Sequence, residues 1–183
     1  MIRITIFLLL IWINNPLHAT EPQVVESVDL GRYTGLWFEI ARLPNRFQKQ
    51  CTAGTTARYT LMEDGQIRVV NSCYKADGSK GSVTGLAKVV DAESNAKLQV
   101  SLLRFLGKQW FWGDYWIIGL DDDYKWAVVG HPERKYGWIL SRTPEISDSL
   151  RQNINSLLDQ QGYNPDLFED TLPFKGHTKG GQQ

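Results

Sequence analysis

Residues 113–142 read GDYWIIGL, DDDYKWAVVG and HPERKYGWILSR: three apolar stretches parted by Asp121-Asp122-Asp123 and His131-Pro132-Glu133. Short runs rich in β-branched and aromatic residues, punctuated by Asp, Gly and Pro, read as strands joined by tight turns. The pattern extends back to Gly35. Candidate strands are Gly35–Arg42, Thr55–Leu61, Gln66–Cys73, Ser82–Val90, Lys97–Leu103, Gly113–Leu120, Tyr124–Gly130 and Tyr136–Arg142. Further turns fall at Glu63-Asp64-Gly65, Asp77-Gly78 and Glu93-Ser94-Asn95. Eight successive antiparallel strands predict an all-β, up-and-down barrel.

One segment has a different period. Ile146, Leu150, Ile154, Leu157 and Leu158 form a stripe at helical spacing, with Ser147 as N-cap, Asp148 in the first turn and Gly162 as the stop. The expected helix, about 147–161, has one obvious place to dock, the outside of the closed sheet.

Strand alternation assigns faces. In the early strands Tyr59, Ile67, Val69, Leu98, Val100 and Leu102 alternate with Arg58, Thr60, Arg68, Lys97, Gln99 and Ser101. Apolar residues inside and polar residues outside describe a barrel in water, whereas an outer-membrane barrel shows the reverse. Pairing the last three strands about their turns puts Trp116, Ile118, Leu120, Tyr124, Trp126, Val128, Tyr136, Trp138, Leu140 and Arg142 on the inner face. The other set, including Tyr115, Ile117, Ala127, Val129 and Ile139, falls on the helix-covered face. Glu39 also points inward by parity, and a buried carboxylate needs a partner or a raised pKa.

The chain has 183 residues, 42% hydrophobic and 22% charged, with Lys+Arg 20 balancing Asp+Glu 20. It can build a core, and its even charge argues against nucleic acid as a partner. It opens with Arg3, an uncharged apolar run to Ile13, a break at Asn14-Asn15-Pro16 and a small residue at Ala19. That layout predicts a secretory signal over 1–19, too short to span a bilayer comfortably. The remainder divides into a barrel domain, 20–174, and a disordered tail, 175–183. Export makes a Cys51–Cys73 disulfide available, free thiols being the alternative. Such a bridge closes a loop worth roughly 3 kcal/mol, and it requires Cys51 to curl back from before its strand.

Gly35-Leu36-Trp37-Phe38-Glu39-Ile40-Ala41-Arg42, then Tyr59-Thr60-Leu61 with Asp64-Gly65, then Trp138-Ile139-Leu140-Ser141-Arg142-Thr143-Pro144 resemble, in order and spacing, the lipocalins. The likeness is greatest to the bacterial outer-membrane group, kin to apolipoprotein D and the plant temperature-induced lipocalins, and covers about residues 29–172. It implies that Gly35, Trp37 and Arg142 form a structural plug at the narrow end, with Arg142 across the indole. Asp121–Tyr124 matches the family's middle motif only loosely. Several bacterial relatives carry a lipid-modified N-terminal cysteine. Here Ala19-Thr20 occupy that place, so the resemblance implies an exported form, periplasmic or secreted, with association with the outer membrane left open.

The implied function is a lipid carrier. A ligand-binding wall of Glu39, Tyr59, Val100, Trp116, Ile118, Trp126, Val128, Trp138 and Leu140 is expected, its apolar members burying an acyl chain at roughly 0.8 kcal/mol per methylene. The expected ligand is a fatty acid or lysophospholipid, held for envelope maintenance or stress. Trp110 and Trp112, in a loop beside Lys108, are candidates for the entrance, for peripheral membrane contact or for a dimer surface; monomer and homodimer both remain open. The alternatives are a lipocalin-fold enzyme and a haem or tetrapyrrole carrier. No nucleophile, phosphate-loop or metal motif stands out, and His131 in its turn is a poor axial ligand. No catalytic residue, cofactor or metal is expected.

Overall fold

The computed structural model describes residues 21–106 and 108–174, so the expected secretory signal, 1–19, and the expected disordered tail, 175–183, lie outside the described residues. A short helix, α1 (Leu30–Tyr33), leads into β1 (Gly35–Arg42), β2 (Ala53–Leu61), β3 (Ile67–Tyr74), β4 (Lys80–Val89) and β5 (Lys97–Ser101). A small hairpin of β6 (Leu103–Phe105) and β7 (Lys108–Trp110) follows, then β8 (Gly113–Leu120), β9 (Trp126–Gly130) and β10 (Trp138–Ser141). After α2 (Asp148–Gln160), a two-residue strand, β11 (Glu169–Asp170), completes the order.

Eight strands run antiparallel in the order β1-β2-β3-β4-β5-β8-β9-β10, and β10 pairs back onto β1. Closure leaves no free edge on the ring. β11 adds to the upper part of β1 through Ala41 and Arg42. Pairing between β1 and β2 stops at Phe38–Thr56, and the segment after α2 fills the gap above it. There the Thr171 amide donates to the Ile40 carbonyl, the Gly54 amide donates to the Leu172 carbonyl, and Phe174 stacks on Tyr74.

Several strand boundaries differ from the sequence pattern, two of them for a local reason. The strand expected over 97–103 ends at Ser101, whose buried hydroxyl donates to the Trp110 carbonyl at 2.6 Å and roots the β6–β7 hairpin. Tyr124 is not in β9: it occupies a left-handed turn at φ 61°, and the strand starts two residues later. β10 starts at Trp138, not Tyr136. Cys51 precedes β2, curls back and bonds Cys73 on β3, fixing the β1–β2 loop to the barrel.

The described residues form two apolar cores. Trp37, Ala57, Tyr59, Ile67, Val69, Leu98, Ile117, Ala127, Val129 and Leu140 fill the barrel from every side. The second core lies outside, where Ile154 and Leu158 of α2 pack on Ala41, Trp116, Ile118, Val128 and Ile139. Ser147 caps α2 by accepting from the Leu150 amide, and Gly162, at φ 77°, ends it. Gly119 admits the helix: a Cβ there would stand 3.1 Å from Leu157.

Candidate functional site

The floor of the barrel is built around Trp37, which is fully buried. Its indole N–H donates to the Tyr33 carbonyl at 2.8 Å. Arg142 lies across the ring, its guanidinium carbon 3.7 Å from the centroid. The same guanidinium donates to the carbonyls of Arg32, Tyr33, Thr34, Leu36 and Tyr124. Gly35 is required beside it, because its φ is 99° and a Cβ would approach Arg142 Nη1 to 3.2 Å. These three residues seal the lower end.

Above the floor three phenols meet inside the barrel. Tyr33 and Tyr115 hydroxyls are 2.7 Å apart, and Tyr59 and Tyr115 hydroxyls 3.0 Å. Burial pushes Tyr59 up to about 12, and the nearby carboxylate of Glu39 acts in the same direction. Burial, then the adjoining phenols, holds Tyr33 and Tyr115 well above the ordinary tyrosine range. The trio is therefore a neutral donor-acceptor cluster at neutral pH.

Higher on the same side, Glu39 is buried within a polar network. A β1 bulge between Glu39 and Ala41 sets Glu39 opposite Leu140 and Arg42 opposite Trp138, so both point inward. Glu39 accepts from Arg42 Nη1 at 2.9 Å, Gln48 Nε2 at 2.6 Å and Thr171 Oγ1 at 2.5 Å. The indole N–H of Trp138 donates to Gln48 Oε1 at 3.0 Å. Three buried polar atoms on this side have no partner among the described residues: Arg42 Nε, Thr55 Oγ1 and Asn71 Oδ1. An unsatisfied buried polar atom costs about 1–3 kcal/mol, so each needs a reason.

The opposite wall is apolar, and its exposure rises toward the upper end. Ile117 and Val129 are sealed, whereas Val100, Leu102, Tyr115 and Trp138 face the same interior and remain half-buried. Around the rim Phe47, Leu103, Leu106, Trp110 and Phe111 are exposed, Phe111 at 81%. Trp112 is half-buried, with Lys88 Nζ 4.5 Å from its ring. An open cleft of about 370 Å³, lined by Arg42, Pro44, Asn45, Arg46, Lys49 and Glu169, adjoins the β1–β2 loop. His131 uses Nδ1 to accept from the Glu133 amide, an internal bond of its turn.

The structure divides the residues that the sequence assigned to one wall. Tyr59, Val100, Trp138, Leu140 and Glu39 face the interior. Trp116, Ile118, Trp126 and Val128 do not: they pack in the outer core with α2. Two irregularities cause the reversal. A bulge between Ile117 and Gly119 turns both Ile118 and Gly119 outward, so counting back from Leu120 gives the wrong face. The left-handed turn at Tyr124 shifts β9 by one residue in the same way. Ile117, Ala127 and Val129 take the interior positions. The sequence reading also passed over Tyr33, Arg42, Gln48, Thr55, Asn71 and Thr171. Only Thr55 and Asn71, polar residues at inward parity beside Ala57 and Val69, carried a local signal.

Comparison with known proteins adds the ancestry. The family model for a lipocalin-like domain matches residues 28–173. Temperature-induced lipocalin-1 of Arabidopsis thaliana is 38% identical over 146 residues, covering 78% of each chain. Outer membrane lipoprotein Blc of Escherichia coli K12 is 38% identical over 156 residues, covering 85% of each. Insecticyanin of the tobacco hornworm Manduca sexta superposes with a TM-score of 0.68 at 21% identity, over 85% of both chains, a likeness of fold.

Proposed function

The chain belongs to the lipocalin family, whose barrels bind small hydrophobic ligands, and we propose on that premise that this one is a carrier for a fatty acid or lysophospholipid, not an enzyme. The observation that carries the proposal is the gradient of exposure inside the closed ring. Trp37, Ile117 and Val129 are sealed at the floor and middle, while Val100, Leu102, Tyr115 and Trp138 keep exposed surface although they face inward. In a barrel closed by hydrogen bonds, surface left on inward side chains is surface that a ligand can cover. The apolar wall suits an acyl chain, which gains roughly 0.8 kcal/mol per buried methylene. The polar side, with Arg42 and Gln48, can hydrogen-bond to a polar head group.

An exported role at the cell envelope agrees with the leader-like start of the sequence, the Cys51–Cys73 bridge and the name of the bacterial relative. The exposed rim of Phe47, Leu103, Leu106, Trp110 and Phe111, interspersed with Arg46, Lys49 and Lys108, fits peripheral contact with an anionic lipid surface. Titration of the purified chain with oleate and with lysophosphatidylcholine, followed by tryptophan fluorescence, tests the carrier role. The expected result is saturation at one ligand per barrel, and no saturable change with either probe would overturn it.

A further inference from the structure

We propose that the inner wall formed by β1, β2 and β3 is a subsite for an uncharged hydroxy-ester head, the kind carried by an acylglycerol. This deepens the carrier reading and rests on it.

Three buried polar atoms of this wall lack a partner among the described residues. Thr55 is only 7% exposed, and its Oγ1 bonds to nothing among the described residues. Asn71 Oδ1 and Arg42 Nε are in the same condition. Register puts all three on the inner face of neighbouring strands: Asn71 lies opposite Ala57, two residues along β2 from Thr55, and Arg42 lies higher on β1, opposite Trp138. Ala57 and Trp138 both belong to the interior. The wall therefore offers one N–H donor, one amide acceptor and one hydroxyl that can do either.

The phenol trio adds a fourth group to the same side. Tyr59 shares the inner face of β2 with Thr55, and three hydroxyls make only two hydrogen bonds among themselves. One phenolic proton is left without an acceptor in the trio. A hydrocarbon tail satisfies none of these groups. A free carboxylate would stand beside Glu39, whose oxygens already hold three donors, and like charges repel strongly out of water. A hydroxy-ester fits better. Its carbonyl accepts from Arg42 Nε or the free phenol, and its hydroxyl donates to Asn71 Oδ1 and bonds Thr55 Oγ1. All three atoms are buried, so contact requires small rotamer changes in this wall.

Calorimetric titration of the full chain with 1-monooleoylglycerol and with oleate, both below their aggregation limits, tests this. Monooleoylglycerol should bind about tenfold more tightly, as expected when a ligand satisfies buried groups that its competitor leaves unpaired. Thr55→Val and Asn71→Leu should each reduce glyceride affinity about fivefold and leave oleate unchanged. Thr55→Val should melt no lower than the parent, because it removes an unsatisfied hydroxyl without changing shape. Oleate binding as tightly as the glyceride overturns the proposal. So do variants that weaken both ligands alike, or neither. Saturation by neither probe would bring down the carrier reading with it, whereas equal saturation by both would leave that reading standing.

Discussion

The guanidinium of Arg142 covers the indole of Trp37 at 3.7 Å while donating to five backbone carbonyls drawn from the α1–β1 segment and the β8–β9 turn. One side chain from the last barrel strand's end thus holds the first strand, the N-terminal helix and a turn together. Burial of this cation lowers its pKa, and its carbonyl partners and the π face replace the water it loses.

Arg142→Lys should therefore destabilise the chain although charge is kept. Lysine has three donors on a point charge and cannot fork across five carbonyls or stack on the ring. We expect a loss of about 3 kcal/mol, from several charge-assisted hydrogen bonds and the cation–π contact. Urea denaturation with equal slopes for both proteins measures it, and an unchanged midpoint would show that the floor does not depend on this residue.

Glu39 and Arg42 form a largely buried charge pair, with side chains 4% and 14% exposed. Glu39→Leu leaves Arg42 charged in the barrel wall and should cost roughly 3–5 kcal/mol, as breaking a buried pair does. The double change Glu39→Leu with Arg42→Met should recover most of that loss, since the charge goes with its partner. A double-mutant cycle by chemical denaturation reads the coupling, and additive losses would mean that Gln48 and Thr171 carry Glu39 without the arginine.

Tyr33, Tyr59 and Tyr115 give the barrel an alkaline limit. Burial raises all three, Tyr59 to about 12. A phenol whose folded pKa lies above its unfolded value near 10 stabilises the fold fully below pH 10, and that contribution disappears as pH rises through the folded value. Melting temperature should thus be flat through neutrality and fall steeply above pH 10. Absorbance titration at 295 nm should show part of the seven tyrosines resisting ionisation until unfolding. Uniform titration of all seven near pH 10 with the fold intact would contradict the trio's burial.

How far the sequence could be read depended on what each element answers to. The ring of eight strands, α2 with its Ser147 cap and the Cys51–Cys73 bridge follow from alternation, capping and compartment, which are local properties. The contact between Trp37 and Arg142 followed only from family likeness, because the two are far apart in sequence. The inner wall was legible where strands are regular, as at Tyr59 and Val100. It was misread at β8 and β9, where the Ile117–Gly119 bulge and the Tyr124 turn each insert one residue out of step. With period two, a single such residue exchanges the faces. The polar network was hidden for another reason: Glu39, Gln48 and Thr171 meet through three separate chain segments.

The exchange of faces makes its own test. Trp116 packs under α2 in the outer core, with Lys97 Nζ 4.1 Å from its ring, whereas Trp138 faces the interior beside Arg42 and Leu140. Bromine on an acyl chain quenches indole fluorescence only at near-contact distance, so dibromostearate bound in the barrel should quench Trp138 and spare Trp116. Trp116→Phe should keep nearly all of the quenching amplitude, and Trp138→Phe should remove the largest share of it. Trp116→Phe costs stability too, because a large buried aromatic is trimmed beneath the helix, so each variant is compared at matched folded fraction. Loss of quenching in Trp116→Phe with retention in Trp138→Phe would place the acyl chain beneath the helix and outside the ring of strands.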